Sequence, residues 1–478
     1  MGVLSGLQPE RVFSFFEEIC GIPHGSGNTR QISNWLAAFA RVRNLEFYQD
    51  DLGNIIIIKE ASSGYEAGEP VILQGHMDMV CNKAAGCTKD MTKEGLDLIV
   101  KGDAITADGT TLGGDDGIAA AFLLAILDDD DLPHPRVECV LTVDEEKGLI
   151  GAKGLDVSPL KGRRLINIDS EDEGILTVGC AGGVSAISSL PVSREAFQGQ
   201  VLKIKLAGLA GGHSGADITK GQENALKSLG RVLFEILDRT NARLVRLDGG
   251  VADNAIPTCA SAVIAVPDAA KVTAICDEYR RIFAHEFKVD PDVDLTVDET
   301  ETDLQPMDQL SGLRAVAYLI GTPNGIQKMT QSIDHLPQTS LSLGVARTSA
   351  AAVEYIFCIR SSVDSEREML TRRLESQINI LGGNLRRDAP YPGWEYNPVS
   401  PLRDLICEVY RDQTGKDMIV EAIHAGLECG YFAGKIPGLD CVSIGPDMKA
   451  VHTPNETLYI GSVQRTWELV RETLARMK

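Results

Sequence analysis

Five short stretches of this chain place imidazole and carboxylate groups in patterns that could hold cations. Gly75-His76-Met77-Asp78 sets a ring and a carboxylate at i and i+2, which face the same way on an extended strand. Asp78 can then fix the tautomer and orientation of His76. Gly113-Gly114-Asp115-Asp116-Gly117 precedes an apolar helical run, and its glycines permit close backbone approach. Asp144-Glu145-Glu146 crowds three carboxylates together, which repel one another unless cations neutralise them. Asp169 and His452 complete the set. Each stretch alone has an ordinary explanation as a hydrogen-bonded turn, a helix cap or a solvated acidic loop. Together, two histidines and several carboxylates make a nitrogen and oxygen donor set suited to zinc or a neighbouring first-row ion, unlike thiolate structural zinc. One aspartate shared by two ions, with two further ligands for each, describes a two-metal hydrolytic centre. Such a centre also needs a carboxylate free to act as base, and Glu145 beside Glu146 supplies one.

The elements around these residues explain how they could converge. Short apolar runs at 54–58, 71–73, 137–143, 165–168 and 439–444 read as strands, and 117–127 reads as a buried helix. Four strands lead into a ligand type: His76, Glu145/Glu146, Asp169 and His452. In open parallel sheets the carboxyl ends of the strands form the ligand crevice. The expected fold is α/β, a mostly parallel sheet flanked by helices. Thr453-Pro454-Asn455-Glu456 matches a capping box opening a C-terminal helix that carries Val463, Trp467, Val470 and Leu474 on one face. The middle of the chain differs in style. Strand and helix signals at 201–206, 223–237 and 261–266 are followed by a second pass at 293–297, 310–320, 353–359 and 366–381. The pattern predicts two α+β units inserted into the sheet domain. Expected boundaries are 1–186 and 394–478 for the two parts of the sheet domain and 187–393 for the insertion.

Bulk properties narrow the function. At 478 residues the chain exceeds one ordinary hydrophobic core. Forty-six basic residues against 68 acidic ones give a net charge of −22, a surface that repels phosphate backbones and anionic lipid. Neither nucleic acid nor membrane is an expected partner. The N-terminal residues lack the basic and apolar regions of a secretory signal, so a cytoplasmic location is expected. Eleven scattered cysteines without a C-x-x-C pair fit reduced thiols with no catalytic role.

The segments GHMDMVCNK (75–83), TLGGDDGIAAA (111–121), TVDEEKGLIGA (142–152), NIDSEDEG (167–174) and VHTPNE (451–456) resemble, in order and spacing, the metallopeptidase family of carnosinases, peptidase T and aminoacylases. The resemblance implies a zinc exopeptidase-like catalytic domain with an inserted lid. It implies two Zn2+ per subunit, replaceable by Mn2+ or Co2+. His76 and Asp169 would hold one ion, Glu146 and His452 the other, and Asp115 would bridge them. Asp78 would orient His76, Glu145 would be the general base, and the Asp115–Asp116 peptide bond would be cis. In the insertion, Gly211-Gly212-His213-Ser214-Gly215 matches the family's oxyanion-stabilising histidine. Asn254, Arg360, His424 and Glu428 match positions that bind substrate. Glu428 suits a free amine and Arg360 a carboxylate. The implied activity is hydrolysis of dipeptides with free ends, Xaa-His included, by a homodimer. N-acyl amino acid deacylation at the same centre, or a non-catalytic binding role, are the alternatives.

Overall fold

The fold is described from a computed structural model covering residues 2–478. Two compact units form: one from the N-terminal residues to Cys180 with Trp394–Ala422 and Leu427–Lys478, the other from Ala181–Gly393 with Ile423–Gly426. The boundary expected after residue 186 would cut the uninterrupted strand Gly182–Pro191, which lies wholly in the second unit.

The first unit is built on an eight-stranded sheet, ordered Glu46–Gln49, Ile55–Lys59, Val137–Thr142, Val71–His76, Arg164–Asn167, Asp440–Ser443, Ile175–Cys180, Ile419–Ile423. The four central strands, Val137–Thr142 to Asp440–Ser443, pair parallel. The strands beside them pair antiparallel. The central strand Val71–His76 is buried at every position, as a parallel strand covered on both faces must be. Helix Gly114–Asp128 is buried continuously from Asp116 to Leu127, and its near-uniform apolarity follows from that enclosure. Phe122 of this helix meets Trp467 of the C-terminal helix Ile460–Arg476, ring centroids 5.6 Å apart.

The expected capping box is absent. The C-terminal helix begins at Ile460, after a strand Thr457–Tyr459 that belongs to a separate four-stranded sheet. Asp103, from a distant turn, caps it by accepting from Ile460 N–H (2.8 Å) through its carbonyl and from Gly461 N–H (2.9 Å) through its carboxylate. Glu456 is therefore free for other work.

The second unit holds a nine-stranded sheet with helices Ala225–Arg239, Ala269–Glu286, Gln309–Gly321 and Asp364–Ile380. The first strand of the second pass, Asp294–Glu299, pairs antiparallel with Gln200–Ala207 of the first, and Gly249 pairs with Ala346, so the strands of both passes form a single sheet. Helix starts follow local chemistry. Asn224, Asp268 and Asp308 each accept backbone N–H groups of the first turn. Leu226, Leu229, Leu233 and Ile236 turn one face of Ala225–Arg239 into the core.

Candidate metal centre and anion cluster

Because the central strands run parallel, their carboxyl ends share one edge. His76 closes its strand directly opposite Thr142, and the next residues of that neighbour turn at Asp144 into a short 3-10 segment, Glu145–Lys147. Asp144 takes a left-handed φ of 52° there. Asp169 follows Arg164–Asn167 by two residues. His452 sits on the turn that precedes Thr457–Tyr459, and Asp115 stands at the start of the buried helix.

The distances between these groups are short. His76, 1% exposed, sends Nε2 to within 2.9 Å of Asp115 Oδ1 and 3.6 Å of Asp169 Oδ1. Its Nδ1–H donates to the Asp78 carbonyl at 3.0 Å, whereas the Asp78 carboxylate lies at 3.6 Å. Asp78 thus holds the ring mainly through its backbone. Its carboxylate instead accepts from Ser26 Oγ (2.8 Å), Glu145 N–H (3.0 Å) and Glu146 N–H (3.4 Å), tying the His76 strand to the acidic turn. Asp115 Oδ2 reaches His452 Nε2 at 3.1 Å, and that nitrogen lies 2.6 Å from Glu146 Oε1. The Asp115–Asp116 peptide bond is cis, as the resemblance implies.

Ligand-type atoms cluster within 4.8 Å in three overlapping sets: His76, Asp116 and Asp169; His76, Glu145 and Glu146; Asp115, Glu146 and His452. Asp116 was not singled out from the sequence. Its Oδ2 accepts the His76 backbone N–H at 3.1 Å, while Oδ1 is buried with no partner. Electrostatics show the same excess of negative charge. Burial, and then the Asp115 and Glu146 charges, lift Asp169 to about 6 against the pull of His76. Burial, with Asp169, Glu428 and Glu146 behind it, pushes Glu145 well above the ordinary range. His452, hydrogen-bonded to Asp115 and Glu146, rises to about 10. Buried carboxylates in this number are compensated only by cations, and the orphaned Asp116 oxygen marks an unmet partner. The donor set is nitrogen and oxygen only, so these residues fit divalent first-row ions.

The second unit gathers a different set. His213 pairs in register with Ala255 beside Asn254, whose carbonyl accepts from Ser214 N–H at 2.8 Å. His213 Nδ1 accepts from Ala216 N–H at 3.0 Å, so the proton of a neutral ring sits on Nε2. That Nε2 stands 3.2 Å from an Arg360 guanidinium nitrogen, placing donor against donor. Arg360 is 5% exposed, donates to Tyr391 Oη at 2.8 Å, and leaves its Nε without a partner. His424 Nε2 meets Ser340 Oγ at 2.7 Å, and its Nδ1 is unpartnered. Burial, then Arg360 and His213, lowers His424 to about 4. Glu428 belongs to the first unit. It is 0% exposed and accepts from Gln74 Nε2 (2.5 Å) and Thr142 Oγ1 (2.6 Å), and burial raises it to about 7.

Against this geometry, residues 72–476 match the model of peptidase family M20/M25/M40, and the chain belongs to that family. It is 37% identical to the cytosol non-specific dipeptidase of Escherichia coli (strain K12), over 99% of both chains. The solved aminoacylhistidine dipeptidase of Vibrio alginolyticus is 35% identical and superposes with a TM-score of 0.93, covering 98% of this chain and 97% of that one. The aminopeptidase PepT of Bacillus cereus shares the fold, with a TM-score of 0.57 at 16% identity over 98% of this chain and 99% of that one.

Proposed function

We propose that the protein is a dipeptidase working at a two-ion centre, with zinc the resident ion and manganese or cobalt able to replace it. The observation that carries this reading is the Asp115 carboxylate, whose two oxygens meet different histidines, His76 at 2.9 Å and His452 at 3.1 Å. His76 with Asp169 would hold one ion, Glu146 with His452 the other, and Asp115 would serve both. The bound ions would supply Lewis acidity, lowering the pKa of the attacking water and polarising the peptide carbonyl. Glu145 then takes the water's proton as the carbonyl is attacked and delivers it to the leaving amine. His213 donates Nε2–H to the carbonyl oxygen as it gains charge. Arg360 and His424 take the substrate carboxylate, and Asn254 lies beside them. A buried guanidinium with a donor facing it lacks only an anion.

The two full-length relatives carry dipeptidase names, which favours free-ended dipeptides, Xaa-His among them, over N-acylated amino acids. A homodimer in the cytoplasm completes the reading. The Escherichia coli relative is named a cytosol enzyme, and no described helix is long and apolar enough to cross a membrane. The test is a panel of dipeptides including Xaa-His and β-Ala-His, beside N-acetyl amino acids, followed by mass spectrometry. Hydrolysis of the dipeptides and not the N-acetyl compounds supports the proposal; the reverse selects deacylation.

A further inference from the structure

The carboxylate of Glu456 is 3% exposed and touches no histidine and no positive charge. It accepts instead from four consecutive backbone N–H groups. Oε2 takes Leu112 (2.9 Å) and Gly113 (3.2 Å), and Oε1 takes Gly114 (2.8 Å) and Asp115 (3.4 Å). These groups form the irregular turn that leads into the buried helix, where Asp115 and Asp116 depart from helical φ/ψ, so their N–H groups need a partner from elsewhere in the chain. The sequence accommodates this approach. Gly113 adopts a φ of +67°, and a Cβ on Gly114 would stand 3.3 Å from Glu456 Oε1 and 3.1 Å from Met448 Sδ.

The same short turn carries His452. Thr453 N–H and Oγ–H both close on the Ala450 carbonyl (3.1 and 2.7 Å), Glu456 N–H closes on the Thr453 carbonyl (3.0 Å), and Asn82 Nδ2 donates to the His452 carbonyl (2.8 Å). Asp115 is therefore gripped twice by one rigid turn, at its backbone by Glu456 and at its side chain by His452. We infer that Glu456 is a positioning residue. Its carboxylate clamps the 112–115 backbone and so sets the Asp115 carboxylate where the His76 and His452 rings can both meet it.

This inference rests on the two-ion reading above, and its test is chosen to separate the two. Glu456→Gln keeps the shape but turns an oxygen acceptor into an NH2 donor facing backbone N–H groups. Apoprotein of the wild type, Glu456→Gln, Gly114→Ala and a control, Asp308→Ala, is titrated with Zn2+ against a chromophoric chelator, with folding followed by circular dichroism. Asp308 caps a helix of the second unit by accepting from Ser311 N–H, so its variant reports what cap loss alone does. Wild type and control should bind two ions alike. Glu456→Gln should bind one of the two roughly 10- to 100-fold more weakly. Gly114→Ala should show a smaller loss in the same direction, and it carries the test if the glutamine variant does not fold. Excess Zn2+ should return turnover of Glu456→Gln towards wild type. Unchanged affinities for both ions in folded Glu456→Gln, or in folded Gly114→Ala should the glutamine variant not fold, make Glu456 a helix cap only and overturn the inference. A wild type that binds no ion overturns the two-ion reading itself.

Discussion

The two units bury opposite kinds of unsatisfied chemistry. In the first, Asp115, Asp116, Glu145, Glu146 and Asp169 surround two imidazoles, and a buried Asp116 oxygen has no donor. In the second, Arg360 is buried with its Nε unpartnered, a guanidinium nitrogen faces His213 Nε2 donor to donor, and among the described residues no carboxylate pairs with the guanidinium. An uncompensated buried charge is costly in either sign, so each cluster implies the ligand that would neutralise it. The first calls for cations and the second for an anion.

Breaking the division chemically should give effects of graded size. The largest belongs to Glu145→Gln, which removes the proposed base without removing a metal ligand. Turnover should fall by about 10^2- to 10^4-fold while elemental analysis still finds two ions per chain. Glu146→Gln should instead lose or weaken one ion, and reversed stoichiometries would exchange the roles of the two glutamates. Next comes His213→Ala, with turnover reduced roughly 10^2- to 10^3-fold, ion content unchanged and circular dichroism unaltered. Mixing that variant with Glu145→Gln asks whether His213 serves its own chain. Regained activity after verified subunit exchange means it acts on the partner of a dimer, and no recovery means it acts within its own chain. Asp78→Ala should weaken ion binding about 10- to 100-fold, because it frees the Glu145–Glu146 turn while the backbone carbonyl still holds the His76 ring. The smallest effect is Asp268→Ala on the helix Ala269–Glu286. It should cost about 1 kcal/mol of stability in a denaturant titration and leave turnover alone.

What the sequence revealed and what it hid divide along a physical line. Ligand residues sit at strand ends, and strands announce themselves by short apolar runs, so His76, Glu146 and Asp169 could be placed from local pattern. Glu456 could not. Thr453 and Glu456 have the i, i+3 spacing of a capping box, but the partners of Glu456 lie more than 340 residues away in the chain. Spacing cannot report a contact of that range. One signal pointed towards it, the paired glycines before Asp115, which permit close backbone approach. Asp116 was hidden because adjacent carboxylates are indistinguishable until backbone direction is known. The pairings that merge the second unit's two passes into one sheet, Asp294–Glu299 on Gln200–Ala207 and Gly249 with Ala346, have no sequence signature. The resemblance singled out His213 and Arg360. Their donor-to-donor meeting needed coordinates, because it depends on Ala216 N–H occupying Nδ1.

The central claim is that opposed histidines sharing Asp115 hold two catalytic ions, and metal titration of stripped protein measures this most directly. Chelator-treated enzyme should be inactive towards a dipeptide, should take up two equivalents of Zn2+ per chain by elemental analysis, and should regain activity as the second equivalent binds. Full dipeptide hydrolysis by protein shown to be metal-free would contradict it.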